Sequence, residues 1–349
     1  MIRFVIGRLV WAFVLFLVLT FVTYVLFFLL PSNPTQIGRG QFAETFEIRD
    51  AYTLEGPFYE EWARFTWGVV TDGELGRSYY NRRPVTELIE GAAPVTASLI
   101  LGGAVVWLLI AIPLGVLSGL RPRSTLDRLG MVFVLIGVST HPVWLGLIFR
   151  YFFAGRLAWA PPGGYCDLIN PGSFCGGPRP WVSHLILPWL TFALLFAAIY
   201  VRMIRASVIE TINEDYIRTA WAKGTPRWLV IRRHILRNAM LPIVTMLSVD
   251  MAVAIAGPVG ASVFVERVFG LPGLGTLAVD SLTRRDIPIV LGVVITIMTV
   301  ILVLNLITDI VYSVIDPRVR VRGASLEPED RGLPLRERVH AAEGAGRFA

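Results

Sequence analysis

Any chemistry in this chain would have to come from very few side chains. Its 349 residues include one lysine, two cysteines and four histidines. Lys223 is followed by Gly224, whereas a phosphate-cradling P-loop needs Gly-Lys-Ser/Thr, so a nucleotide site of that kind is excluded. His141, His184, His234 and His340 never approach the His-Glu-x-x-His spacing of a zinc protease. No serine has a glycine two residues away on both sides, which removes the nucleophile elbow. Cys166 and Cys175 lie in a stretch rich in Pro and Gly, with His184 the one histidine nearby, too poor a ligand set for a metal. On the oxidising side of a membrane such a pair reads as a disulfide closing a small loop; the alternative is two unrelated thiols. The polypeptide is therefore not expected to be an enzyme or to hold a metal or cofactor.

The elements that position these residues are dominated by apolar sequence. Hydrophobic residues make up 54% of the chain and charged ones 17%, with a mean hydropathy of +0.62. Soluble domains carry roughly 25% charged residues, so one aqueous core cannot absorb this much apolar surface. The excess falls in six blocks: Leu9–Leu30, Val95–Gly119, Met131–Phe149, Leu185–Val201, Pro242–Val265 and Ile287–Ile315. Each approaches or exceeds the ~20 residues that cross a hydrocarbon layer as a helix. The spacing predicts an all-α integral membrane protein of six spans. The first block is too long for the apolar region of a signal peptide, and Pro31-Ser-Asn-Pro34 follows it in place of a cleavage pattern, so it reads as an uncleaved span.

Charge sets the orientation. With the N-terminus inside, the inner segments hold 20 of the 32 Lys and Arg residues, as the positive-inside rule requires, and the C-terminus is also inside. The net charge of +6 follows from this topology and from anionic lipid headgroups, without a nucleic-acid partner. Residues 31–94 form a long outer segment. Its aromatics predict a small subdomain or an amphipathic helix near 57–70, with a ligand-free membrane-surface helix as the equal alternative. Residues 316–349 read as a disordered inner tail.

The inner segment 206–241 differs from an ordinary connector. Val208, Ile212, Tyr216 or Ile217, and Ala220 recur at helical spacing, and Gly224 with Pro226 ends the pattern. A second helix then sets Trp228, Leu229, Ile231, Ile235 and Leu236 against Arg227, Arg232, Arg233 and Arg237. The pair makes a compact knob; the alternative is an amphipathic hairpin lying on the membrane.

The runs Asp215-Tyr-Ile-Arg-Thr-Ala-Trp-Ala-Lys-Gly224 and Arg233-His-Ile-Leu-Arg-Asn-Ala-Met-Leu-Pro242 resemble the coupling loop of dipeptide and oligopeptide ABC importer permeases. Ile6-Gly-Arg-Leu, Gly73-Glu-Leu-Gly-Arg-Ser-Tyr, Pro188-Trp-Leu-Thr, Val265-Glu-Arg-Val-Phe-Gly-Leu-Pro-Gly-Leu-Gly275 and Arg285-Asp-Ile-Pro288 agree with it. Aligning the general Glu-Ala-Ala-x-x-x-Gly signature on Gly224 places Arg218, Thr219 and Ala220 at its first three positions, so only the alanine is kept. The resemblance implies the type I (MetI-like) importer fold. It also implies a bacterial inner-membrane permease subunit forming half of a peptide pathway, beside a homologous second permease. Two cytoplasmic ATPases that bind ATP and Mg, and an extracytoplasmic substrate-binding lipoprotein, would complete the assembly. Arg218, Thr219, Ala220, Lys223 and Gly224 would then meet the ATPases.

Asp250 lies within the fifth block, where a carboxylate costs ~2.5–3.5 kcal/mol and must face protein or water. Two roles fit it equally: lining the pathway against a peptide's amino group, or bonding structurally to a neighbouring helix. Arg150 is expected to snorkel at the outer end of the third span, and Pro113, Pro142 and Pro188 to kink theirs. Gly115 and Gly119 offer a close-packing face. The rival class, an ion-coupled secondary transporter acting alone, would want repeats or paired intramembrane acids.

Overall fold

The computed structural model describes residues 2–28, 57–169, 175–240 and 261–315, together with helical Ile243, Met246, Leu247 and Asp250. The expectations for residues 31–56, for most of the fifth apolar block and for the 316–349 tail lie outside the described residues. Met1–Leu306 form one compact unit, and the last residues of the final helix belong to a second unit, Ile307–Ala349.

All regular structure among the described residues is helical, with one isolated β-bridge, Arg77 to Pro84. The first half of the chain comprises α1 (Ile2–Phe28), α2 (Phe58–Thr71), α3 (Val85–Leu120), α4 (Thr125–Ser139), α5 (Pro142–Phe149) and α6 (Pro178–Ile212). The second half comprises α7 (Asp215–Ala222), α8 (Arg227–Val230), a π-helical turn (Ile231–Ile235), α9 (Leu236–Ala239), α10 (Ala261–Phe269), α11 (Leu274–Arg284) and α12 (Ile287–Ile315). Of these, α1, α3, α6 and α12 are each long and apolar enough to cross a membrane. Two bent pairs, α4 with α5 and its π-helical extension (Arg150–Arg156) and α10 with α11, raise the number of candidate spans to six.

The third apolar block is not the single kinked helix the sequence predicts. It breaks between Ser139 and Pro142, where the chain turns by 107°. Proline clashes with the residue before it in the α region and lacks an N–H. His141 accordingly sits at φ −78° and ψ 138°, and Thr140 is extended too. Pro142 starts α5 while the His141 ring accepts the Val143 N–H. Pro113 and Pro188, by contrast, stay inside the continuous helices α3 and α6.

Those two helices form the centre of the protein. In lipid little hydrophobic force drives helices together, so close backbone approach has to supply the attraction. A Cβ on Gly102 or Gly103 would fall 2.2 Å from Trp189 or 2.5 Å from Phe192. At Gly115 and Gly119 it would fall 2.6 Å from Ile204 and 2.7 Å from Val208. Contact positions rise together along both helices, so α3 and α6 run parallel. Gly137 meets Ala198 and Asp127 meets Arg205, so α4 runs antiparallel to α6. The segment between α3 and α6 therefore crosses the layer once, and the bent α4–α5 pair makes that crossing. Trp107 is fully buried here, stacked on Phe196 and flanked by Phe192 and Tyr200.

Two buried acids fix the corners. Glu266 accepts Thr96 Oγ1 at 2.7 Å and the Thr276 N–H at 2.8 Å, while Thr96 accepts the Leu274 N–H at 2.8 Å. One carboxyl thus satisfies the start of α11 and ties it to α3. Asp286, just ahead of α12, accepts Ser78 Oγ and the N–H groups of Tyr79 and Tyr80. The Gly73–Tyr79 and Arg285–Pro288 motifs, read separately in the sequence, therefore meet in space. Arg150 does more than snorkel, since its Nη1 donates to the Val268 carbonyl at 2.7 Å and holds the α5 end to α10.

Near residues 57–70 the chain forms α2, which packs Phe58, Trp62 and Phe65 on Phe21 and Tyr24 of α1.

Candidate functional site

The knob is a helical hairpin. Asn213 and Glu214 end α6, so Val208 and Ile212 belong to the long helix and α7 starts afresh at Asp215. Ile217, Val230, Ile235 and Ala239 are buried and join the same apolar cluster as Ile204 and Val208 of α6. The hairpin is therefore packed against the end of α6. Asn238 Nδ2 adds a bond to Tyr216 Oη at 2.7 Å across the hairpin.

Gly224 closes α7 by a left-handed cap. Its φ is +74°, its N–H donates to Trp221 O at 2.9 Å, and the Thr225 N–H donates to Ala220 O at 3.2 Å. Glycine takes this conformation at little steric cost, and a side chain strains it. A Cβ built there meets nothing within 4 Å, so the glycine is needed for its backbone and not for room inside the protein.

Four of the five residues assigned to coupling share the exposed side of the hairpin. Arg218 is exposed and pairs loosely with Asp215 at 3.5 Å, and Lys223 and Gly224 are exposed. Thr219 is exposed too, with its hydroxyl bonded back to the Asp215 carbonyl, while Ala220 is half-buried against the core. Trp221 and Trp228 are exposed beside them, 45% and 66%, which gives the hairpin an aromatic and cationic outer face. Leu229, Arg232, Arg233 and Arg237 line an open groove of about 390 Å³ along the second half.

Sequence reasoning missed the anchor at the root of this hairpin. Arg205, two turns before α6 ends, grips buried Asp127 of α4 with two hydrogen bonds of 2.5 and 2.9 Å. Asp127 also accepts the Arg123 N–H, and its own N–H donates to the Ser124 hydroxyl. The Ser124-Thr-Leu-Asp127 pattern of a capping box was the available signal.

Asp250 is not part of the hairpin. It accepts the Tyr200 hydroxyl at 2.7 Å beside the Trp107 ring cluster and is only half-buried. Cys166 and Cys175 form a disulfide with Cα atoms 5.2 Å apart, and the His184 ring lies against the buried Cys166 sulphur. Disulfide and hairpin sit at opposite ends of α6, whose 35 residues span about 52 Å. Among the described residues, no group of three or more His, Cys, Asp or Glu could hold a metal.

Comparison with known proteins places this arrangement. Residues 111–321 match the binding-protein-dependent transport system inner membrane component family, and residues 1–100 match the N-terminal component of the same system. A protein of Brucella suis biovar 1 named as a peptide permease is 34% identical over 92% of this chain and all of its own length. The dipeptide transport system permease protein DppB of Escherichia coli (strain K12) is 32% identical over 92% of this chain and 99% of its own length. With both of its parts matched, the chain belongs to the family of binding-protein-dependent transport system inner membrane components.

Proposed function

We propose that this permease forms half of the pathway of an ATP-driven importer for di- or oligopeptides, in a bacterial inner membrane. The observation that carries the reading is the hairpin: a rigid, exposed, aromatic and cationic knob on the end of the longest packed helix pair. Such a knob gives an ATPase groove something to hold, and α6 carries its displacement into the core. Two cytoplasmic ATPases would bind ATP and Mg and meet Arg218, Thr219, Lys223 and Gly224, with Ala220 seating the helix. A homologous permease completes the pathway, and a substrate-binding lipoprotein delivers the peptide on the far side.

The termini and the hairpin are cytoplasmic in this reading, and the disulfide end of α6 faces the oxidising side, where such bonds persist. Asp250, hydrogen-bonded by Tyr200, is the carboxylate that would meet the ammonium group of a passing peptide. The names of the Brucella and Escherichia relatives support the peptide class.

Reconstitution of the permease pair with its ATPases in proteoliposomes tests the proposal. Uptake of labelled peptides should need ATP inside and the binding protein outside. Uptake by this chain alone, driven by an ion gradient, would overturn it.

A further inference from the structure

The return limb of the hairpin, from Arg227 to Ala239, carries cations that no acid of the segment balances. Between Asp215 and Asp250 the sequence holds six Lys and Arg residues and no Asp or Glu. Arg218 pairs with Asp215. Among the described residues, Arg232, Arg233 and Arg237 make no ion pair and no side-chain hydrogen bond, and all three are exposed.

The winding of the limb gathers these three together. In an uninterrupted α-helix Leu229, Arg233 and Arg237 share a face, but Arg232 stands about 140° from Arg237 around the axis. Over Ile231–Ile235 the limb instead makes a π-turn, with the Leu236 N–H donating to the Ile231 carbonyl. Winding from i to i+5 sets residues five apart almost one above the other, and single turns of this kind recur at functional sites. Arg232 is thereby brought beside Arg233 and Arg237, and the three line the open groove of about 390 Å³ with Leu229. The same turn sets Val230 over Ile235 on the buried side, so cationic and apolar residues separate onto two faces.

Two markers place the groove beside the bilayer surface. Arg237 lies five residues before the fifth apolar block begins at Pro242, no more than about 18 Å of chain even when extended. Ile235 and Ala239 join the cluster that contains Ile204, three residues beyond the apolar block of α6 that ends at Val201. Long arginine side chains reach from there into the headgroup layer.

We infer that this groove binds the headgroup phosphate of an anionic phospholipid from the cytoplasmic leaflet. Guanidinium forks match phosphate oxygens in pairs. Leu229, 41% exposed, offers an apolar wall to the glycerol end of the lipid. The residues assigned to the ATPases, Arg218, Thr219, Lys223 and Gly224, surround the α7 cap and do not line the groove. A bound lipid would tether the return limb to the membrane surface and leave the cap free.

The test is retention of phosphatidylglycerol by the purified full-length protein in detergent, titrated by native mass spectrometry against phosphatidylcholine. The wild type should hold phosphatidylglycerol saturably and in preference. Arg232→Gln with Arg233→Gln and Arg237→Gln should weaken that retention about a hundredfold, each arginine contributing a factor of about five. Leu229→Glu, which sets a carboxylate among the three guanidinium groups, should abolish it. Arg121→Gln with Arg123→Gln and Arg128→Gln removes the same charge from the exposed turn between α3 and α4 and should weaken retention by no more than about threefold. Because every substituted position is exposed, all variants should unfold at the wild-type temperature in the absence of lipid. Equal losses in the two triple variants would overturn the inference in favour of diffuse surface charge. Displacement of the lipid by inorganic phosphate would overturn it in favour of a soluble phosphate. Unchanged lipid retention with lost ATPase recovery in the first triple variant would make the ATPase the occupant. The inference takes from the importer reading only the cytoplasmic placement of the hairpin. Failure of the rest of that reading would show separately, as absent ATP-driven uptake in protein that still retains the lipid.

Discussion

Replacing Gly224 isolates the backbone contribution to the hairpin, because nothing around it obstructs a side chain. The added Cβ has no neighbour within 4 Å, so the cost is conformational and confined to the left-handed cap at φ +74°. Forcing an ordinary residue into that region costs roughly 1–2 kcal/mol, and a β-branched one more. A penalty of that size lowers the ratio of correctly capped hairpin to its alternatives by a factor of about 5–30. Asparagine tolerates the conformation, so a graded series follows: Gly224→Asn close to wild type, Gly224→Ala intermediate, Gly224→Val worst. Because the site is exposed and an added side chain meets no packed neighbour, insertion and folded yield should be the same for all three. The assay is recovery of the ATPase subunits on tagged permease, with ATP-driven uptake measured on the same preparations. Full ATPase stoichiometry and normal uptake in Gly224→Val would refute the assignment of this hairpin to coupling. If Asn failed as badly as Val, close approach of a partner's backbone, and not the strained φ, would be what the glycine serves.

Other perturbations probe the scaffold and the core. Asp127→Ala strands Arg205 half-buried and should destabilise the protein by on the order of 3 kcal/mol, whereas the double change Asp127→Leu with Arg205→Met should recover much of that in a thermal-unfolding assay. Gly273→Ala drives a methyl to 2.4 Å from the Glu266 carboxyl and should cut folded yield sharply, measured by detergent size-exclusion chromatography. Gly224→Ala in the same assay should not. Tyr200→Phe removes the hydroxyl 2.7 Å from Asp250 and should lower uptake less than Asp250→Asn does, with assembly intact in both; loss of assembly in Asp250→Asn would make the carboxyl structural.

The sequence made the gross architecture legible, because apolar blocks long enough to cross a membrane leave few alternatives, and α12 keeps the predicted bounds of its block. Gly224 was readable as well, since a glycine two residues before a proline is strong local punctuation. The α4–α5 corner was not: Pro142 is compatible with a kink or a break, and packing far along the chain decides which. Glu266 and Asp286 were invisible as corner pieces for a related reason. An acid in sequence reads as a surface residue until its partners are known, and these lie 170 and 208 residues away at Thr96 and Ser78. Arg150 looked like a snorkelling cation because its acceptor, a main-chain carbonyl of Val268, leaves no mark in composition.

The glycine seam between α3 and α6 also decides how motion can travel. Side chains of α6 already occupy the places where α3 would need its own Cβ atoms, so the pair cannot slide by a residue without collision. Two parallel rods locked in this way behave as one lever. A tilt of about 10° applied at the hairpin would swing the far end of α6, about 52 Å away, through roughly 9 Å. The give must then come from elsewhere, and the broken corner at Thr140 and His141, where extended backbone interrupts the helix, is the natural place for it. In mechanical terms the seam is the stiff member and that corner the joint.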